Sequence, residues 1–201
     1  MQAFAELIDR LIYTRSRNAK LTLIADYLVA TPDPDRGWAL AALTGDLDIK
    51  AVKSSQIRAM ADERFDPLLF RMSRDYVGDT AETVALMWPD PSGGQDEEDA
   101  LSISMVIDQL GDTTRAKAPA LLASMMDRLD ANGRYALLKL ASGGMRVGVS
   151  ARLAKTAVAQ GFGLNVDDVE EVWHALSPPY TELFAWGEGY AERPDPEGTP
   201  Y

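Results

Sequence analysis

Apolar residues recur at intervals of three and four along almost the whole chain. Phe4, Leu7, Ile8, Leu11 and Ile12 fall on one stripe of a helix, and Leu21, Ile24 and Leu28 resume the pattern after a break at residues 14–16. Pro32 and Pro34 punctuate before a helix around residues 38–43. Asp66 followed by Pro67 reads as an N-cap with proline in the first turn, and Asp79 with Glu82 reads as a capping box opening a helix that runs to Trp88. From residue 89 to 99 the composition turns to proline, glycine and acid, and the period stops. It resumes with residues 101–110, then Leu121, Leu122, Met125, Met126 and Leu129, then Leu137, Leu138 and Leu140, then Leu153, Ala154, Ala157 and Val158. Val169, Val172, Trp173 and Leu176 form a further stripe, and Pro178-Pro179 precedes a last helix carrying Leu183, Phe184 and Trp186. No stretch alternates with the period of a strand. The pattern predicts an all-α chain of ten to twelve short helices in two lobes, about 1–89 and 100–190. An acidic loop at 90–99 separates them, and residues 191–201 form a flexible, linker-like tail.

Composition narrows the chemistry. With 201 residues, 46% hydrophobic and 25% charged, the chain can bury a full core. The absence of cysteine excludes disulfides, thiolate zinc sites, iron–sulfur clusters and cysteine nucleophiles, and a single histidine, His174, argues against multi-histidine metal chemistry. No apolar run reaches the ~18 residues of a membrane span, and the first residues lack the basic flank of a secretion signal. A cytoplasmic monomer without a membrane partner is expected.

The net charge of −11 argues at first against a polyanionic partner. Its distribution argues otherwise. Three acidic stretches, at 90–99, 167–171 and 188–197, carry −5, −4 and −3, leaving the rest of the chain at +1. In that remainder the basic residues occupy windows free of acid: Arg10, Arg15, Arg17 and Lys20; Lys50, Lys53 and Arg58; and Arg134, Lys139, Arg146, Arg152 and Lys155. Because screening acts over ~8 Å, local charge decides what a phosphate feels. The alternative is a set of ordinary solvated helix faces.

Two segments combine such charge with a helix start. In Ser142-Gly143-Gly144-Met145-Arg146-Val147-Gly148-Val149-Ser150-Ala151-Arg152-Leu153-Ala154-Lys155, one helix ends on glycines and another begins near Ser150. Glycines allow close backbone approach, free amides at a helix start favour anions, and Arg146, Arg152 and Lys155 add charge beside them. Thr14-Arg15-Ser16-Arg17-Asn18-Ala19-Lys20 repeats the theme. Read structurally, each is only a corner between helices with solvated basic residues. Neither offers base-reading chemistry, so backbone contact without sequence readout follows.

Catalytic constellations are missing. The phosphate-loop, GxSxG and dinucleotide signatures do not occur. His174, beside Trp173, reads as a helix-packing or cap residue. The carboxylates of Asp96, Glu97, Glu98 and Asp99 form a solvated run, with metal binding as the alternative, and Asp167, Asp168, Glu170 and Glu171 suit a helix start.

Taken together, these residues resemble the N-terminal DNA-binding domain of ATP-dependent DNA ligases, in particular the bacterial B-type enzymes. Residues 143–150 look like the family's glycine, variable, leucine, arginine, isoleucine, glycine signature. Residues 14–20 look like its serine-arginine corner, and residues 76–84 are similar to its glycine-aspartate helix start. All three keep the family's order and spacing over residues 4–186. The resemblance implies an all-helical domain that grips sugar-phosphate on both sides of a nick in the minor groove. By position, Ser142, Gly143, Arg146, Gly148 and Ser150 would contact backbone phosphates, with Ser16, Arg17 and Lys20 as a second set. Arg152 and Lys155 join them on the charge argument. Gly144 replaces a residue often basic or polar in the family, and Met145 and Val147 replace the usual leucine and isoleucine.

The family's adenylation motif, KxDG, does not occur, and its nucleotidyltransferase and OB-fold domains are absent from this sequence. The implied chain is therefore non-catalytic and needs no cofactor of its own. ATP and Mg2+ would serve the full-length ligase, whose catalytic domains would be its partners alongside nicked duplex DNA. Replication, repair or recombination at the nucleoid would be its setting. Two rivals remain: a helical protein-interaction scaffold without DNA binding, and an enzyme using the Asp96 loop with a metal.

Overall fold

The computed structural model describes residues 1–49, 51–92 and 100–197. Among them it contains twelve α-helices and no strand: α1 Gln2–Tyr13, α2 Arg17–Ala30, α3 Asp35–Thr44, α4 Ser54–Arg64, α5 Pro67–Val77, α6 Thr80–Met87, α7 Ile103–Asp112, α8 Ala118–Met126, α9 Ala131–Ser142, α10 Ala151–Phe162, α11 Val166–Trp173 and α12 Thr181–Gly187. The expected all-α class holds.

Short polar side chains start most of these helices, as the sequence suggested. Asp66 accepts from the Leu69 amide at 2.9 Å, Asp79 from Glu82 at 2.8 Å, Asp130 from Gly133 at 2.8 Å and Ser150 from Leu153 at 3.1 Å. Each satisfies one amide that the helix itself leaves unpaired. Gly143 ends α9 in the left-handed conformation that closes a helix most readily when the residue is glycine.

The helices form two compact units, and these do not follow the linear division expected at residues 90–99. One contains Met1–Glu6 and Asp48–Gly144; the other contains Leu7–Leu47 and Met145–Tyr201. The reason is pairing across long sequence distance. In the first unit α6 packs on α9, and in the second α2, which starts at Arg17, packs on α10, which starts at Ala151. Periodicity reveals which face of a helix is apolar but not which partner covers it.

In the first unit, Arg134 is 1% exposed. Its Nε donates to the Ala85 carbonyl at 2.9 Å, Nη1 to Leu129 at 2.7 Å and Pro89 at 3.2 Å, and Nη2 to Asp90 at 2.8 Å. A buried guanidinium is tolerated because its donors are matched in this way. Lys139 pairs with Asp79 at 2.8 Å. Burial opposes ionisation of Asp79, but hydrogen bonds from Lys139 and the Glu82 amide overcome it and hold the carboxyl below its usual value.

In the second unit, α2 and α10 approach closely at Gly161, where a Cβ would meet the Ala25 carbonyl at 3.3 Å. Arg36 is buried over the Phe184 ring and pairs with Asp33 at 2.8 Å and Glu188 at 2.7 Å. Within residues 191–201, expected as a flexible tail, Arg193 makes contact, pairing with Asp168 at 3.4 Å and Glu171 at 2.6 Å on α11. The sequence pattern missed this because an isolated ion pair leaves no hydrophobic period. Among the described residues, no helix is long and apolar enough to cross a membrane.

Candidate nucleic-acid interface

The second unit brings the two basic corners together. Helix α1 ends at Tyr13, and Ser16 turns the chain into α2 by accepting from the Ala19 amide at 3.3 Å. Arg15 and Arg17 flank that cap and are exposed. On the other corner, buried Val147 roots the turn, Gly148 adopts φ +68°, and Ser150 caps α10. Lys20 links the corners, donating from Nζ to the Gly148 carbonyl at 2.8 Å.

Between them lies an open cleft of about 310 Å³. Four cations line it, Arg15, Arg17, Lys20 and Arg152, together with Gly148, Ser150 and Leu153. Among the described residues none of the four cations has a carboxylate partner. Like charges gathered without counter-charge make the potential at the cleft more positive than the net charge of −11 suggests.

The expected site residues divide accordingly. Arg17, Lys20, Gly148, Ser150 and Arg152 line the cleft; Arg15 and Leu153, outside the expected set, line it too. Ser16 is a helix cap, and Arg146 is exposed on the turn without lining the cleft. Ser142 and Gly143 belong to the first unit, where Ser142 donates to the Leu138 carbonyl at 2.7 Å and Gly143 terminates α9.

The acid-free sequence windows were a poor guide to free charge. Lys155, expected at the interface, lies 3.2 Å from Glu170 and over the Trp173 ring at 4.9 Å. Its neutralising partner is fifteen positions away in sequence but one helix away in space. Arg134 and Lys139, from the same window, are committed to the first unit's interior and to Asp79. Arg15 could have been found by giving weight to its place beside the Ser16 cap.

His174 is the exposed C-cap of α11. Among the described residues, no group of three or more histidines and carboxylates could hold a metal ion. The 96–99 acidic run, Lys50 and residues 198–201 lie outside the described residues.

The first unit carries a surface of different character. An apolar groove of about 400 Å³ runs between α5 and α6, lined by Met72, Tyr76, Val77, Leu86 and Met87 with Ser73 and Thr83. Tyr76 is 93% exposed and Met72 62%. No protein-family model matches the chain, and no curated protein matches it significantly.

Proposed function

We propose that the chain binds nicked duplex DNA through the sugar-phosphate backbone in the minor groove, as the DNA-binding domain of an ATP-dependent DNA ligase with a ligase-like helical fold. The observation that carries this reading is the convergence of two helix-start corners on one cleft with four cations lacking carboxylate partners. Phosphate oxygens suit guanidinium groups, and such contacts set register without reading bases. The role is positional: holding both sides of a break so that separate catalytic domains meet the 5′-phosphate and 3′-hydroxyl in reacting geometry. Without a KxDG lysine, this chain should not seal DNA alone.

Gel shifts on nicked, gapped and intact duplexes test the reading. Arg17→Ala and Arg152→Ala should weaken binding to a similar degree on every sequence. Unchanged binding by both variants would refute the site.

A second reading, a protein-interaction scaffold, is favoured by the α5–α6 groove, whose exposed Met72, Tyr76 and Leu86 suit an apolar partner. Leu86→Glu separates the two. It leaves DNA binding unchanged on the first reading and abolishes partner binding on the second.

A further inference from the structure

The geometry points to Lys20 as a positioning residue that serves the proposed DNA interface by holding the 145–150 turn, rather than as a phosphate ligand in its own right. This inference rests on the DNA-backbone reading above. Among the described residues, 145–149 form no backbone–backbone hydrogen bond, so their conformation depends on other ties. Two are present: the buried side chain of Val147 and the bond from Lys20 Nζ to the Gly148 carbonyl. A charged donor makes that bond stronger than a neutral one. Gly148 is fitted to it. Its φ of +68° favours glycine, and a Cβ there would fall 2.8 Å from the Lys20 ammonium. Arg146 is exposed on this turn, two residues before Gly148, so its position follows whatever holds the turn.

A phosphate ligand and a positioning residue differ in coupling. Independent contacts give additive losses, whereas a residue that aims Arg146 removes part of Arg146's contribution along with its own. The full chain is compared as wild type, Lys20→Met, Lys20→Arg, Arg146→Ala and the Lys20→Met/Arg146→Ala double variant. Duplex affinity and backbone 15N order parameters at residues 146–149 without DNA are both measured. If Lys20→Met and Arg146→Ala each raise Kd about tenfold, the double variant should raise it well under the additive hundredfold. Order parameters should fall from about 0.85 to below about 0.6 in Lys20→Met and return toward wild type in Lys20→Arg. Additive losses, or unchanged order parameters in Lys20→Met, would overturn the inference. If wild type fails to bind DNA, the functional reading falls, the role of Lys20 at a DNA interface falls with it, and the order parameters still report whether Lys20 holds the turn.

Discussion

The carbonyl oxygen of Pro179 lies 1.6 Å from where a Cβ on Gly37 would stand. Glycine at this position in α3 is therefore required by contact, although its backbone is helical. Gly37→Ala should destabilise the second unit by about 1–3 kcal/mol, as overpacking does, instead of giving the usual gain of a helical alanine. Gly111 in α7 has no atom within 4 Å of its would-be Cβ, so Gly111→Ala should stabilise by about 0.5–1 kcal/mol. Urea unfolding of both variants checks the opposite signs.

Arg134 and Asp90 form an unequal pair, 1% and 79% exposed at the side chain. Arg134→Met leaves the carbonyls of Ala85, Pro89 and Leu129 without this donor, and should cost about 3–5 kcal/mol. Asp90→Asn leaves an exposed amide and should cost less than about 1 kcal/mol. Comparable losses in the two thermal melts would contradict this division.

Acid should weaken both units for the same reason. Hydrogen bonding from Arg36 holds the Glu188 carboxyl below its usual value, and Asp79 is held low by Lys139 despite burial. A carboxyl depressed in the folded state contributes stability above its unfolded value, and that contribution fades as pH falls through the folded value. Glu188→Gln and Asp79→Asn should each flatten the acid side of the urea-midpoint profile between neutral and acidic pH. A profile as steep as wild type would count against the pairing.

These residues also show how far sequence reading reaches. Ser150, Asp66 and Asp79 were legible as caps because a cap acts within three residues of its partner. Helix α4 was not singled out, since Ile57, Met60 and Ala61 give only a weak stripe among polar residues. The Lys20–Gly148 link spans 128 positions and has no local signature. Neither has the Lys155–Glu170 pair, so charge windows credited Lys155 with a freedom that packing removes.

That pair gives a direct contrast. Lys155→Ala should change duplex affinity less than twofold, because Glu170 already offsets its charge, whereas Arg152→Ala should lower affinity severalfold. Side-by-side fluorescence titrations would decide, and equal losses would return Lys155 to the interface.

The central claim is that the cleft of Arg15, Arg17, Lys20 and Arg152 receives phosphates. Its most direct test is the salt dependence of wild-type binding to nicked duplex. With four phosphates neutralised, by Arg15, Arg17 and Arg152 and by Arg146 on the turn that Lys20 holds, log K should fall against log salt with a slope of about −4, shallower by about one in Arg17→Ala. A slope near zero, unchanged by Arg17→Ala, would contradict it.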